Sequence, residues 1–302
     1  MDQLQYEANR SKNCLNLIES SVSERLQSEP CWLGVDEAGR GPVLGPMVYG
    51  ICFSPIADKE KLTELKFADS KTLSEEQRES LFSQINESLH MLGWMVEILS
   101  PTYISTSMLS REKYNLNALS HDCAIRLIQQ ALNRGVNVSE VYVDTVGDAT
   151  KYQAKLQDIF PNISITVSKK ADSLFPIVSA ASICAKVARD QAVKNWKFQE
   201  NISLEEPDYG SGYPGDPKTK KFLEESFDKV FGFPSFVRYS WSTASQIIDK
   251  KGVSVLWEDD DDENENKGTP TLTQFFNKKD CKPELVRNRF FTQRQLHHVT
   301  SL

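Results

Sequence analysis

The 302-residue chain is poor in the residues from which common sites are built. It has only four histidines, His90, His121, His297 and His298, and the one pair is adjacent and close to the C-terminus. A histidine-built metal centre would lack ligands at workable spacing. The six cysteines, Cys14, Cys31, Cys52, Cys123, Cys184 and Cys281, contain no CxxC pair. This excludes a zinc knuckle and a disulfide framework, and the cysteines read as free thiols of a reducing compartment. No apolar run approaches the ~20 residues of a membrane span. The polar start, MDQLQYEANRSKN, carries no secretory pattern, so no membrane association is expected. An excess of basic residues is missing too. The net charge is −7, which by itself argues against a polyanionic partner. Yet seven acids lie in the single run Glu258 to Glu265, and setting them aside leaves 35 acidic residues against 35 basic. A neutral body can still carry a basic groove.

What is present is 39% hydrophobic and 25% charged residues, the composition of a globular protein with a sizeable core. Residues 1–30 read as an N-terminal extension, with a helix in NLIESSVSERLQ. CWLGV is a short apolar strand running into acids and a glycine-rich turn, and LGPMVYGICFS (44–54) is a second strand. A helix is predicted over 74–89, with Ser74 as cap and Gln77 three residues on completing a capping box. LGWMVEIL (92–99) is a third strand, and a long amphipathic helix covers 112–134. EVYVD (140–144) and ISITVS (163–168) are further strands, followed by a helix rich in small residues over 175–200. Three close strands suit an antiparallel meander, and strands alternating with helices suit parallel additions. The expectation is an α/β protein with a mixed five-stranded sheet flanked by helices. A catalytic domain would span 31–200, a helical C-terminal extension 201–256, and an acidic linker and partner-binding tail 257–302.

Acids stand at the ends of three apolar strands. Asp36 and Glu37 follow CWLGV, Asp144 follows VYV, and Asp172 follows ITVSKKA. Strand ends project into the crevice where α/β proteins bind ligands. Carboxylates converging there repel one another unless a hard cation such as Mg²⁺ joins them. Four of them suit a two-metal site for phosphodiester hydrolysis. Each acid alone is as readily a solvated turn residue, and spacing leaves Asp148, Asp122 and Glu112 as alternatives. Gly39-Arg40-Gly41 follows the first acids. Glycines allow close approach of backbone to a ligand, and arginine suits a phosphate. A plain turn explains the same residues equally well.

Taken together, Asp36-Glu37-Ala38-Gly39-Arg40-Gly41-Pro42, Asp69-Ser70-Lys71, VYVDTVG around Asp144, KADSLFPIVSAASICAKVARD around Asp172 and DYGSGYPGDPKT over 208–219 resemble, in order, the motifs of type 2 ribonuclease H. The resemblance runs from about residue 30 to 245, and the chain is most similar to the catalytic A subunit of the eukaryotic enzyme. It implies a ribonuclease-H-like fold with a helical C-terminal extension. It implies an endonuclease acting on the RNA strand of RNA–DNA hybrids and 5′ to single ribonucleotides in duplex DNA, leaving 3′-OH and 5′-phosphate ends. Asp36, Glu37, Asp144 and Asp172 would be the catalytic carboxylates holding two Mg²⁺ or Mn²⁺ ions. Gly39, Arg40 and Gly41 would sense the ribose, and Tyr213 would pack on the next, deoxy, sugar. Lys71 and Asn115 match positions near backbone phosphates, and Arg189 would orient the site or a phosphate. Without the resemblance, Tyr213 reads as a loop aromatic, Lys71 as a solvated lysine and Arg189 as an ion-pair partner. Two accessory subunits, nuclear action and a role in replication and ribonucleotide removal are also implied. The rival readings are a type 1 ribonuclease H and a non-catalytic duplex-binding or scaffold subunit.

In the tail, Leu272 lies three residues before Phe275-Phe276. This resembles the peptide that binds the replication sliding clamp, although Thr269 stands where glutamine is expected. Docking of the tail on partner subunits is the preferred reading.

Overall fold

The computed structural model describes residues 15–65, 73–111, 114–145, 147–198, 200 and 208–253. Lys71, Glu112 and the tail residues Leu272, Phe275 and Phe276 lie outside them. All the elements described belong to one compact unit ending at Gly252.

Its centre is a mixed sheet of β1 (Leu15–Glu19), β2 (Cys31–Ala38), β3 (Met47–Pro55), β4 (Gly93–Leu99), β5 (Val138–Asp144) and β6 (Ser164–Ser168). The strand order is β1-β4-β3-β2-β5-β6. β2, β3 and β4 form the expected antiparallel meander, and β5 and β6 add in parallel beside β2. The sheet has six strands rather than five. The extra strand, β1, lies in the stretch read as helical, and only α1 (Glu24–Ser28) is helical there. β1 pairs antiparallel with β4, Leu15 opposite Leu99 and Ile18 opposite Val96. Leu15 and Leu17 pack on the core beneath one face of the sheet and Ile18 joins the core on the other. An open strand edge with apolar cover on both faces outweighs the local helical preference of a Leu-, Glu- and Ser-rich segment.

After β3 come a short 3₁₀ turn and α2 (Lys59–Glu64), then α3 (Glu75–Glu87), α4 (Pro101–Met108) and α5 (Leu116–Asn133). α3 begins with the predicted capping box, the Ser74 hydroxyl accepting from the Gln77 amide and the Gln77 side chain accepting from the Ser74 amide. α6 (Ala149–Ile159), a short α7 (Ala171–Leu174) and α8 (Pro176–Lys194) follow, then α9 (Pro217–Glu225) and α10 (Ser242–Lys251).

Each face of the sheet has its own core. α5 and α6 cover one through Leu119, Ala124, Leu127, Ile128, Tyr152 and Leu156. α3 and α8 cover the other through Phe82, Ile85, Ile177, Ala181 and Ala185. The small residues of α8 let it lie directly on strand backbone. A Cβ built on Gly34 would stand 2.5 Å from the Ile177 carbonyl, and one on Gly50 2.7 Å from that of Ala181. Gly50 is the β3 residue opposite Asp36, so this close contact sits where β2 carries its first acid. A third core joins Val43 and Leu44 to Phe222, Leu223, Phe233, Phe236 and Val237, attaching the C-terminal segment beside the end of β2.

Candidate active site

β2 and β5 are adjacent and parallel, so their C-terminal ends bring Asp36 and Asp144 to the same edge of the sheet. Asp172 arrives by a sharper route. β6 pairs with β5 through Asp144 opposite Ser168. The chain then reverses through Lys170, the only non-glycine residue of positive φ among those described, at φ 58°. That turn places Asp172 in α7, over the ends of the strands. Carboxylate oxygens of Asp36, Asp144 and Asp172 all lie within 4.8 Å of one another, and Asp36 and Asp172 are buried. Glu37, the next residue on β2, falls outside that trio.

The cluster is electrostatically tense. Burial pushes the Asp36 carboxyl well above the usual range, and the charges of Glu37 and Asp144 push it further. Hydrogen bonds from the Ser182 hydroxyl and the Glu37 amide offset part of this. Asp144 accepts from the amides of Thr145 and Ala171, each at 3.0 Å, which ties β5 to the turn carrying Asp172. An all-carboxylate set packed this closely fits a hard divalent cation, because the cation removes the repulsion that the fold creates. Two of the alternative acids, both among the described residues, are engaged elsewhere. Asp148 caps α6, accepting from Thr150 and Lys151, and Asp122 accepts from the Tyr114 hydroxyl and Lys155.

The Gly-Arg-Gly turn lies at the end of β2. Gly39 has φ +73°, and a Cβ there would meet the Pro46 carbonyl at 2.8 Å and the Arg189 side chain at 3.2 Å. Arg189 thus packs its stem on the turn and pairs with its neighbour Asp190 at 3.5 Å, not with a residue one helical turn away. A Cβ on Gly41 would come within 2.9 Å of the Tyr213 ring. Tyr213 itself is 53% exposed, on a loop tied to the turn by the Val43 amide donating to the Gly212 carbonyl. The Arg40 guanidinium donates to Ser120 and Asn117 near the start of α5. Asn115 caps that helix, accepting from the Ala118 amide at 3.0 Å.

Sequence reasoning passed over the residue that holds this turn. Arg238 is fully buried and donates to the carbonyls of Gly39 (2.6 Å), Arg40 (3.0 Å) and Gly45 (2.8 Å). Burial and the nearby charge of Arg189 pull it down to about 9, so it remains a cation at neutral pH. Its guanidinium lies 4.8 Å from the Trp241 ring centroid, and the Trp241 indole donates to the Gly41 carbonyl at 3.0 Å. The only hint in the sequence is a lone cation inside the aromatic stretch GFPSFVRYSW. Its partners lie about two hundred residues earlier in the chain, at no spacing a motif could carry.

Two strand-end carboxylates and a third from a short helix, gathered at one edge of a mixed α/β sheet beside a backbone turn fixed from below, define a ribonuclease-H-like enzyme with a carboxylate metal-binding site. The family described as Ribonuclease HII matches residues 33–244. The ribonuclease H2 A subunit of Rattus norvegicus is 53% identical over 304 residues, covering 100% of both chains. That of Homo sapiens is 53% identical over 302 residues, again covering 100% of both. Among solved structures, ribonuclease H2 from Pyrococcus horikoshii OT3 superposes with a TM-score of 0.60 at 34% identity, covering 73% of this chain and 98% of that one. Ribonuclease HII of Archaeoglobus fulgidus, solved as a complex with PCNA, gives 0.59 at 29% identity, covering 76% and 99%. The chain belongs to the ribonuclease HII family, among the catalytic A subunits of ribonuclease H2, and is a ribonuclease H endonuclease. This sets aside the scaffold reading. No helix among the described residues is long and apolar enough to cross a membrane.

Proposed function

We propose that this enzyme hydrolyses the RNA strand of RNA–DNA hybrids and cuts 5′ to single ribonucleotides in duplex DNA, leaving 3′-OH and 5′-phosphate ends. The observation that carries this reading is the carboxylate trio standing beside a Gly-Arg-Gly turn against which Tyr213 is packed. Asp36, Asp144 and Asp172, with Glu37 beside them, would hold two divalent ions, Mg²⁺ or Mn²⁺. Such ions supply Lewis-acid stabilisation of the phosphodiester charge and lower the pKa of water.

The chain's own residues supply positioning and selection. Carbonyls of Gly39, Arg40 and Gly41 already accept from Arg238 and Trp241, so the shape of the turn does not depend on the substrate. Its remaining backbone groups are available to a ribose 2′-OH, which both donates and accepts. That hydroxyl selects the substrate and is not the nucleophile, since its attack would leave a cyclic phosphate. The exposed Tyr213 ring would pack on the sugar that follows and read a ribose-to-deoxyribose junction by shape. Arg40 and Arg189 place positive charge beside the turn, where backbone phosphates would run, with Lys71 and Asn115 as further phosphate contacts. Residues 201–256 would serve as the extension that carries the tyrosine loop.

Relatives matched over their full length are named as one subunit of an enzyme, which supports a multi-subunit assembly; its accessory subunits would be two, as the family resemblance implies. The PCNA complex of the Archaeoglobus relative supports clamp binding as a second role for Leu272, Phe275 and Phe276. The cellular role would be ribonucleotide removal during nuclear DNA replication and repair.

The decisive assay is cleavage, with Mg²⁺, of a DNA duplex carrying one ribonucleotide, using the chain assembled with its accessory subunits. Wild type should cut 5′ to the ribonucleotide, and Tyr213→Ala should lose mainly this junction substrate while keeping hybrid cleavage. Cutting confined to long hybrids by wild type would end the junction reading.

A further inference from the structure

Residues 228–232 form a tight turn whose tip is apolar and turned outward. Phe231 is 85% exposed and Val230 63%. The turn is rigid by construction. Asp228 and Gly232 exchange backbone hydrogen bonds at 2.7 and 2.9 Å. The Asp228 carboxylate accepts from the amides of Val230 (2.7 Å) and Phe231 (2.8 Å). The Tyr239 hydroxyl accepts from the Phe233 amide and donates to the Phe233 carbonyl. Gly232 has φ +79°, and a Cβ on it would stand 3.0 Å from the Tyr239 ring. The backbone that carries Phe231 is thus ordered while the ring gains no cover. Two adjacent exposed apolar side chains on an ordered turn form a small patch that a partner surface can cover.

We propose that the Val230–Phe231 tip is a docking knob that seats in an apolar socket on an accessory protein of the assembled enzyme. The proposal rests on the multi-subunit reading above. Two features favour protein over nucleic acid as the occupant. Asp228 spends its carboxylate on the turn's own amides, which leaves Lys229 as the one cation of the tip, too little for a phosphate backbone that binds through several. The ordering that a partner would otherwise have to impose on the loop is already in place, as in rigid aromatic anchors of protein interfaces. The knob also has a direct line to the site. Tyr239, which clamps it, is the neighbour of Arg238, which holds the Gly-Arg-Gly turn. Docking at the tip would therefore brace the segment on which ribose recognition depends.

The test uses the full chain and the purified pair of accessory subunits, with binding measured by calorimetry. Phe231→Ser and the double change Val230→Ser with Phe231→Ser are compared with wild type, and Ile159→Ser serves as a control at another exposed apolar position. Thermal melts of the isolated tip variants should match wild type, because the changed side chains are mostly in water. The expected result is a Kd raised roughly tenfold or more for Phe231→Ser, further raised in the double variant and unchanged for Ile159→Ser. Cleavage of the single-ribonucleotide duplex should fall at limiting concentrations of the accessory pair and recover at saturation. An unchanged Kd in both tip variants overturns the proposal while leaving the multi-subunit reading intact. Unchanged assembly with weakened duplex affinity overturns it in favour of a nucleic-acid contact. Wild type that fails to bind the accessory pair ends the multi-subunit reading itself, and the proposal with it.

Discussion

The carboxylate trio and the Gly-Arg-Gly turn adjoin at the end of β2, which carries Asp36, but are built on opposite principles. The trio concentrates negative charge in a buried place, where Asp36 is pushed up by burial and by Glu37 and Asp144. The turn is held by a buried positive charge, Arg238, whose guanidinium meets backbone carbonyls from Gly39, Arg40 and Gly45. The first arrangement is unstable until a cation arrives, and the second is complete in the protein alone. On the proposed reading, with the acids holding metal and the turn sensing ribose, reactivity and recognition can therefore be damaged separately.

The largest separation is expected from Asp36→Asn. Cleavage should fall by on the order of 10³-fold, while the melting temperature of the metal-free protein stays level or rises, because a neutral amide replaces a carboxyl disfavoured by burial. A melting temperature that falls steeply would mean that Asp36 is held by more than its neighbours here show. Arg238→Met should do the reverse. It leaves three carbonyls without their donor and should cost about 3 kcal/mol or more of unfolding free energy in urea titration. Arg238→Lys should rescue only part of this, since an ammonium lacks the planar fork that reaches three acceptors. Full stability in Arg238→Met would show that the turn holds itself.

A matched pair of glycines sharpens the contrast. Gly34→Ala drives a methyl into the backbone of α8 at Ile177 and should destabilise by about 1–3 kcal/mol. Gly41→Ala meets only the Tyr213 ring, whose side chain is exposed and can swing away. Its stability should change by less than about 0.5 kcal/mol, while cutting at a single ribonucleotide falls more than cutting of a long hybrid. Equal effects on both substrates would detach Tyr213 from junction reading.

The last effect lies far from the site and concerns pH. Burial alone would raise Asp58, but hydrogen bonds from Lys61 and Arg25 outweigh it and hold the carboxyl below its ordinary value. A folded-state pKa lower than the unfolded one contributes stability above the unfolded value, near ~3.9, and that stability is lost as pH falls through the folded value. Asp58→Asn should therefore flatten the acid limb of the stability curve by about 1 kcal/mol, measured by melting between neutral pH and pH 3. A steeper limb in the variant would reverse the sign of this interaction.

Strand and helix order was legible because burial imposes a period. CWLGV, VYGICF and EVYV are apolar runs of strand length, and the box at Ser74 and Gln77 marks its helix locally. β1 was not legible, because its strand state depends on β4 offering an edge and not on its own residues. The acids were visible as candidates at strand ends, and the resemblance singled out four of them, but spacing alone did not separate them from Asp148 and Asp122; the physical reason appeared only in three dimensions. Asp148 turned out to cap a helix and Asp122 to hold a tyrosine, while the αL turn at Lys170 brought Asp172 over the strands.

The sequence by itself determined the chemical inventory, namely the four acids, the Gly-Arg-Gly turn, the family and the alternation of sheet and helix, because each is written in residues close together along the chain. Tertiary structure alone decided which acids meet, that Tyr213 rests on Gly41, and that Arg238 holds the turn from some two hundred residues away. Such contacts depend on how the elements close around one another, and a hydrogen bond between a buried guanidinium and a distant carbonyl leaves no periodic trace in the chain.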